Sequence, residues 1–185
     1  NNHHRLLRKR LLFEILKDDD SWYNPLDFFV KGLPMRASLT PAGKALLNSY
    51  ADGQQWLDVF DIIASVPYHK EWPLNANVLD EVLKPLRMVE RDALWTTYIS
   101  GNAIANDYLM ELVEWGHSVS DDVVAHLDKD MLILICRQLM WTLTTTNLAL
   151  RDKTTHALVN LLRNQQNCLL QCINDYYNVD DDYIV

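Results

Sequence analysis

Several residues have side chains that could bind a metal ion or transfer a proton, and the histidines come first among them. The sequence contains His3, His4, His69, His117, His126 and His156. No two of them are spaced as in HExxH, which places two ligands and a general base on one helix face. No pair has a third ligand nearby, as a zinc site requires. We therefore interpret the histidines as surface or capping residues.

The cysteines are a second group that could bind a metal. Cys168 and Cys172 are four residues apart, so they would lie on one face of a helix. A tetrahedral site needs two further ligands, and because none is placed near them we interpret both as small apolar residues facing the core. Together with Cys136 they make an odd number. That count indicates a reduced, intracellular protein without a disulfide framework.

We also looked for a phosphate-binding loop and for a serine nucleophile. The nearest approach to the loop is Gly43-Lys44, but Ala45 stands where a metal-binding hydroxyl is needed and Ser38 stands where the first glycine is needed. No serine lies in a GxSxG turn, and the runs of aspartate are typical of solvated helix ends. The sequence therefore predicts no catalytic site, metal or cofactor in this chain.

Composition excludes two classes of partner. The net charge of -8 and the pI near 5.1 argue against nonspecific nucleic-acid binding, which needs basic residues that neutralise phosphates. The longest apolar run, residues 131–136, is far shorter than the roughly 20 residues that span a bilayer. With 49% hydrophobic residues the chain can still bury a core. We expect a cytoplasmic protein that binds neither nucleic acid nor membrane.

The sequence predicts helices, because it contains only 5 glycines and 6 prolines and its apolar residues recur at helical spacing. These helices must position any functional surface of the chain. We expect one all-α domain over residues 1–185, built as an irregular αα-superhelix or helical-repeat-like bundle of about ten helices. We interpret this domain as part of a longer protein. The prolines in residues 67–77 predict a loop, so a subdivision into residues 1–66 and 78–185 is an alternative.

The predicted helices follow from apolar periodicity and from cap residues. The residue pairs Asn24-Pro25 and Thr40-Pro41 signal two of the starts, and Gly116 is predicted to end a helix as a C′ residue. The approximate ranges are 6–16, 25–30, 41–50, 54–66, 78–86, 89–99, 107–115, a helix capped by Ser120, 130–144, 152–162 and 164–177. The helix at 130–144 is apolar on nearly every side, so we expect it at the centre.

The six tryptophans divide into two groups. Trp56, Trp95, Trp115 and Trp141 lie within apolar helical patterns and are predicted to be in the core. Trp22 and Trp72 lie in segments with nearby prolines, where an exposed aromatic residue would suit a protein contact. Packing of those loops onto helices is the alternative.

Three ordered segments carry a family resemblance. The first is VERDALWTTYI at 89–99, followed by LVEW at 112–115; the second is WTLTTTN at 141–147 running into LRDKTTHALVNLL at 150–162; the third is VDDDYIV at 179–185. In this order they resemble the helical region after the NTPase domain of bacterial antiviral STAND (AVAST) NTPases, where ERDxxWT, W(x)LTTSNRxLRDxATKALVxLL and VDDPYV recur. The matching residues are Glu90, Arg91, Asp92, Trp95, Trp115, Trp141, Asn147, Arg151 and Asp152.

The resemblance implies that the parent protein has several domains with different roles. Family members have an N-terminal effector, a central NTPase that binds ATP and Mg²⁺, and a C-terminal helical sensor that recognises a phage protein and leads to homo-oligomerisation. This segment would then be a non-catalytic scaffold or recognition segment whose partners are a phage protein, the rest of the parent chain, or both. An unrelated α-helical interaction adaptor is the alternative.

Two of the matching dipeptides, Arg91-Asp92 and Arg151-Asp152, suggest a contact between the segments that carry them. Asp152 could cap a helix that begins at Lys153, and Arg91-Asp92 repeats the same chemistry at another predicted helix start. We therefore expect an ion pair between Glu90 or Asp92 and Arg151. Two unrelated surface pairs are the alternative.

Overall fold

The structure is a computed structural model, and it describes residues 60–61, 63–64, 67–68, 70, 74–102, 107–181 and 183–184. The helices predicted before residue 54, together with Trp22, Trp56 and Trp72, lie outside these residues. Residues 60–61 and 63–64 are helical, in agreement with the helix predicted at 54–66. No strand occurs among the described residues, so their all-α class is confirmed.

Helix α1 (Ala76–Leu83) begins two residues earlier than predicted because Asn75 caps it. The Asn75 side chain accepts a hydrogen bond from the Asn77 amide at 3.0 Å. Helix α2 is continuous and consists of an α-helical turn (Met88–Arg91), a π-helical turn (Asp92–Thr96) and a second α-helical part (Thr97–Asn102). The break predicted at residues 100–102 is wrong, since the helix continues through them.

Helix α3 (Asp107–Ser118) does not end at Gly116, so the prediction of a C′ glycine is wrong. Gly116 lies inside the helix, where a Cβ atom would approach the Ala157 Cβ to 3.0 Å. The end of α3 is instead held by Asn160, whose amide donates to the carbonyls of Gly116 (3.0 Å) and Val119 (2.9 Å). The glycine therefore serves close helix packing and a side chain from another helix satisfies the terminal carbonyls.

Helices α4 (Asp121–Ala125) and α5 (Lys129–Thr142) follow directly. Ser120 occupies the N-cap position of α4, but its hydroxyl makes no capping hydrogen bond. The Asp128 carboxylate caps α5 by accepting from the amides of Asp130 (3.0 Å) and Met131 (3.2 Å). The prediction of α5 as the central helix is confirmed, because its buried residues cover most of its circumference: Leu132, Ile133, Leu134, Ile135, Cys136, Gln138, Leu139, Trp141 and Thr142.

Helices α6 (Leu148–Leu162) and α7 (Gln166–Tyr176) complete the described fold. Helix α6 begins four residues before the predicted start because Asn147, not Asp152, is its N-cap; the Asn147 side chain accepts from the Leu150 amide at 3.2 Å. Asp152 lies inside the helix and is exposed.

One hydrophobic core joins these helices. Helix α3 packs along α6, while α5 packs against α1, α6 and α7. Within the described part of the chain, no helix is both long and apolar enough to cross a bilayer. The core therefore positions the loops and outer helix faces on which any functional surface must lie.

Candidate functional site

The first two motif segments meet in the core through their tryptophans. Trp95 and Trp141 are both completely buried, as predicted, and the Trp95 indole nitrogen donates to the Trp141 carbonyl oxygen at 2.8 Å. Trp95 lies in the π-helical turn of α2, and its ring packs on Tyr98 with centroids 5.4 Å apart. Since π-turns place side chains that a regular helix would direct elsewhere, this turn fixes the contact between α2 and the end of α5.

The third motif segment joins the same place through a buried ion pair. Arg91 Nη2 lies 3.3 Å from Asp181 Oδ2, and each side chain is 1% exposed. Arg91 also donates to the carbonyl oxygen of Asp180 and to that of Leu86, and its guanidinium lies 5.6 Å from the centre of the Trp141 ring. Such burial costs desolvation, so the extra hydrogen bonds are what make the pair tolerable. The three motif segments thus form one unit, which we call the motif junction.

Arg151 reaches the motif junction by another route than predicted. Its guanidinium lies 4.0 Å from the centre of the Tyr183 ring, a cation–π contact. The predicted ion pair from Glu90 or Asp92 to Arg151 is wrong. The Glu90 carboxylate binds Arg87, which is three residues earlier on its own helix, at 3.0 Å, and the Asp92 carboxylate accepts from the Thr96 hydroxyl at 2.9 Å.

The threonines of the second motif satisfy the backbone between α5 and α6. The hydroxyls of Thr142 and Thr144 are buried and donate to the carbonyls of Gln138 (2.8 Å) and Trp141 (2.9 Å). The Thr145 hydroxyl accepts from the Asn147 amide at 3.2 Å. Because buried backbone groups must be paired, these side chains build the turn.

A partly buried polar cluster around Asp80 lies beside the motif junction and was missed by sequence reasoning. Asp80 Oδ1 accepts from the Trp141 indole nitrogen (2.8 Å) and the Tyr176 hydroxyl (2.6 Å). Asp80 Oδ2 lies 2.8 Å from Lys84 Nζ and 3.2 Å from Arg137 Nε. Only the Lys84 partner, four residues away on the same helix, could have been read from the sequence.

The positive and negative charges in this cluster are equal in number. Arg137 Nε is too poorly aligned with Asp80 for a hydrogen bond, but Nη2 donates to Asp175 at 2.8 Å and Nη1 donates to Asn77. Burial opposes the charge of Arg137, yet the hydrogen bond that Arg137 donates to Asp175 and the charge of Asp80 outweigh it and raise the pKa of Arg137. Burial, followed by the charge of Asp80, raises the pKa of Tyr176 well above its usual value. The cluster ties α1, α5 and α7 together.

An apolar groove with a volume of about 400 Å³ lies between α6 and α7. Its lining is almost entirely apolar: Met140, Leu158, Val159, Leu162, Arg163, Leu169, Cys172, Ile173, Tyr176, Tyr177 and Ile184. Exposed apolar side chains line it on both sides: Val159 is 60%, Ile173 51% and Tyr177 70% exposed. Solvent-exposed apolar residues grouped in this way are typical of a protein-binding surface.

Several of the other candidate residues lie in the described part of the chain, whereas His3, His4 and His69 lie outside it. His117 and His156 face each other with ring centroids 6.0 Å apart on the exposed faces of α3 and α6. Cys168 and Cys172 are buried, as predicted. Trp115, predicted to be in the core, is only partly buried and lines a cavity of about 280 Å³ with Tyr68 and Tyr108. Among the described residues, no three metal-ligating side chains come together.

Comparisons with known proteins leave the family open. The chain matches no family model, and neither the search of curated proteins nor that of solved structures gives a match. The motif junction and the α6–α7 groove are therefore the observations from which function must be argued.

Proposed function

We propose that this chain is a non-catalytic scaffold and recognition segment of a bacterial antiphage STAND NTPase, with a phage protein as its partner. In this proposal the parent protein binds ATP and Mg²⁺ through a separate NTPase domain, and partner binding leads to homo-oligomerisation. The observation that carries the recognition role is the apolar α6–α7 groove, with Ile173 and Tyr177 exposed on its edge.

The motif junction supports the family part of the proposal. Three segments that lie far apart in the sequence contact one another through the Trp95–Trp141 hydrogen bond and the Arg91–Asp181 pair. Residues that depend on each other for burial must be kept together, which gives a physical reason for the three motifs to recur as a set. A chance resemblance of three surface segments would carry no such reason.

The packing of neighbouring helices supports the extended architecture in the proposal. Helix α5 packs on α1, α6 and α7, and α6 packs on α3, α4, α5 and α7, as helices do in a stacked array. We propose that the whole chain continues this stack as an irregular αα-superhelix of about ten helices in the cytoplasm.

Binding to a defined panel of purified phage proteins tests the recognition role. We expect one panel member to bind the unmodified chain and its affinity to fall at least tenfold in Ile173→Glu, because a charge in the groove cannot be desolvated cheaply. The matched control is Val123→Glu on α4, where the original side chain is 47% exposed and remote from the groove lining. Failure of every panel member to bind, or equal losses in both variants, would contradict the proposal.

An unrelated α-helical interaction adaptor is the second candidate, and the same groove favours it equally. The sequence upstream of this segment separates the two. A GxxxxGK[ST] loop encoded there supports the STAND NTPase, since its backbone amides and lysine bind nucleotide phosphates. Its absence from the complete parent protein leaves only the adaptor.

A further inference from the structure

A cavity of about 280 Å³ lies between α3, α5 and the residues before α1, and it shares no lining residue with the α6–α7 groove. Helix α3 contributes one face of the cavity, because its lining residues are spaced at i, i+3, i+4 and i+7: Tyr108, Glu111, Leu112 and Trp115. Tyr68 lines the cavity from the segment before α1. Three aromatic side chains therefore surround one small space.

The cavity has a buried apolar inner wall and a mouth that is open to solvent. Leu112 and Ile135 are buried, whereas Tyr108 and Glu111 are exposed. The lining is mostly apolar, and a volume of this size suits a small ligand. A ligand that enters would meet a carboxylate at the mouth and apolar or aromatic side chains inside.

Glu111 gives the cavity a negative charge. It is the one charged side chain among the lining residues that the structure describes. No basic side chain in the described part of the chain pairs with it, whereas Glu114, on the same helix, is paired with Lys153 of α6. Because no described neighbour neutralises the Glu111 carboxylate, the cavity favours a cationic ligand.

We propose that this cavity binds a quaternary ammonium group, such as the headgroup of choline. Aromatic rings attract such a cation through their negatively polarised faces, and tryptophan does so most strongly. Leu112, Met131 and Ile135 offer contacts to its methyl groups but no side-chain hydrogen-bond acceptor. An ammonium group with N–H bonds would lose its hydrogen bonds to water at that wall, so the methylated cation fits the cavity better.

Titration of the complete chain with choline chloride, followed by calorimetry, tests the chemistry of the site. We expect saturable binding of choline, and at least about tenfold weaker binding of the neutral alcohol in which carbon replaces the choline nitrogen. The two compounds have nearly the same shape, so the difference in affinity measures the contribution of the positive charge. Equal affinities for the two compounds, or no binding of choline, overturns the inference.

Substitutions on α3 test whether choline binds in this cavity. We expect Glu111→Gln and Trp115→Leu each to weaken choline binding about fivefold or more. Glu111 is exposed, so its substitution leaves the packing of the core intact. Glu114→Gln is the matched control, because it removes a carboxylate of the same helix that lies outside the lining. Unchanged choline binding in either lining variant, or an equal loss in Glu114→Gln, overturns the inference.

A peptide that carries trimethyllysine presents the same methylated cation on a protein chain, so it distinguishes two sources of the group. Tighter binding of choline than of this peptide supports the site and assigns it to a free small compound. Tighter binding of the peptide, lost in Glu111→Gln, supports the site and assigns it to a modified protein.

Discussion

Gln138 is fully buried in α5, and neither its amide nitrogen nor its amide oxygen has a hydrogen-bond partner among the residues that the structure describes. Each buried unpaired polar group costs about 1–3 kcal/mol, and leucine fills a similar volume without that cost. We expect Gln138→Leu to raise the free energy of unfolding by about 1 kcal/mol or more, measured by chemical denaturation. Gln171→Leu, at an exposed position of α7, is the control and should change it by less than about 0.5 kcal/mol. A destabilised Gln138→Leu variant would show that this amide has a partner in solution.

Asp80 is the single carboxylate on which the Trp141 indole, the Tyr176 hydroxyl and the Lys84 ammonium converge. Removal of one partner from a largely desolvated charged cluster leaves the others uncompensated, and Asp80 itself is only 11% exposed. We expect Asp80→Ala to lower the free energy of unfolding by about 3 kcal/mol or more, measured by urea titration. Glu81→Ala changes an exposed carboxylate at the next position and should be nearly neutral. Similar losses in the two variants would contradict the role given to Asp80.

At the scale of the helices, the close approach of α3 and α6 depends on one small residue. A Cβ at Gly116 would already lie 3.0 Å from Ala157 Cβ and 3.4 Å from Leu161 Cδ1, so a larger side chain must push the helices apart. We expect Gly116→Leu to cost about 1–3 kcal/mol and to lower the melting temperature by at least a few degrees. The exposed Ala149→Leu substitution on α6 is the control. An unchanged melting temperature for Gly116→Leu would contradict the role given to the close contact at Gly116.

Element types could be predicted from the sequence, whereas several element ends could not. Apolar periodicity identified α5 and its central position, because a helix that is apolar on all sides has to be covered. It failed at the start of α6, where Asn147 and Asp152 are both good cap residues and only the preceding turn, built by buried threonines, selects Asn147. It also failed at Gly116, because the choice between a helix end and a close helix contact is made by Ala157, 41 residues away.

The candidate site was predicted only in part, for a related reason. Sequence reasoning identified Arg91, Trp95 and Trp141 as important but paired the charges wrongly. Local pairs such as Lys84 with Asp80 follow from helix geometry. Pairs such as Arg91 with Asp181 depend on how the backbone after α7 returns to α2, which no local pattern encodes.

At the scale of the whole molecule, the buried Tyr176 makes the free energy of unfolding fall at high pH. Burial and the charge of Asp80 raise the pKa of Tyr176 well above 10, so the folded chain keeps this proton when the unfolded chain releases it. The stabilisation is complete below the unfolded pKa of about 10 and is lost as pH rises toward the folded pKa, by up to about 1.4 kcal/mol per pH unit. We expect denaturation midpoints to fall between about pH 10 and pH 11, and Tyr176→Phe to reduce that fall.

Tyr177→Phe is the control for this pH dependence, because it removes the neighbouring hydroxyl, on a ring that is 70% exposed. An identical fall in the unmodified chain and in Tyr176→Phe would mean that Tyr176 does not contribute to it.

The three buried cysteine thiols can report when the molecule opens. All three cysteines of the chain are free and buried, one on α5 and two on α7, and the contact with Cys172 together with burial raises the pKa of the Cys136 thiol. A short pulse of alkylating reagent should therefore spare closed molecules and add its mass only to opened ones. The number of labelled molecules then reports how often the contact between α5 and α7 opens, with no engineered probe.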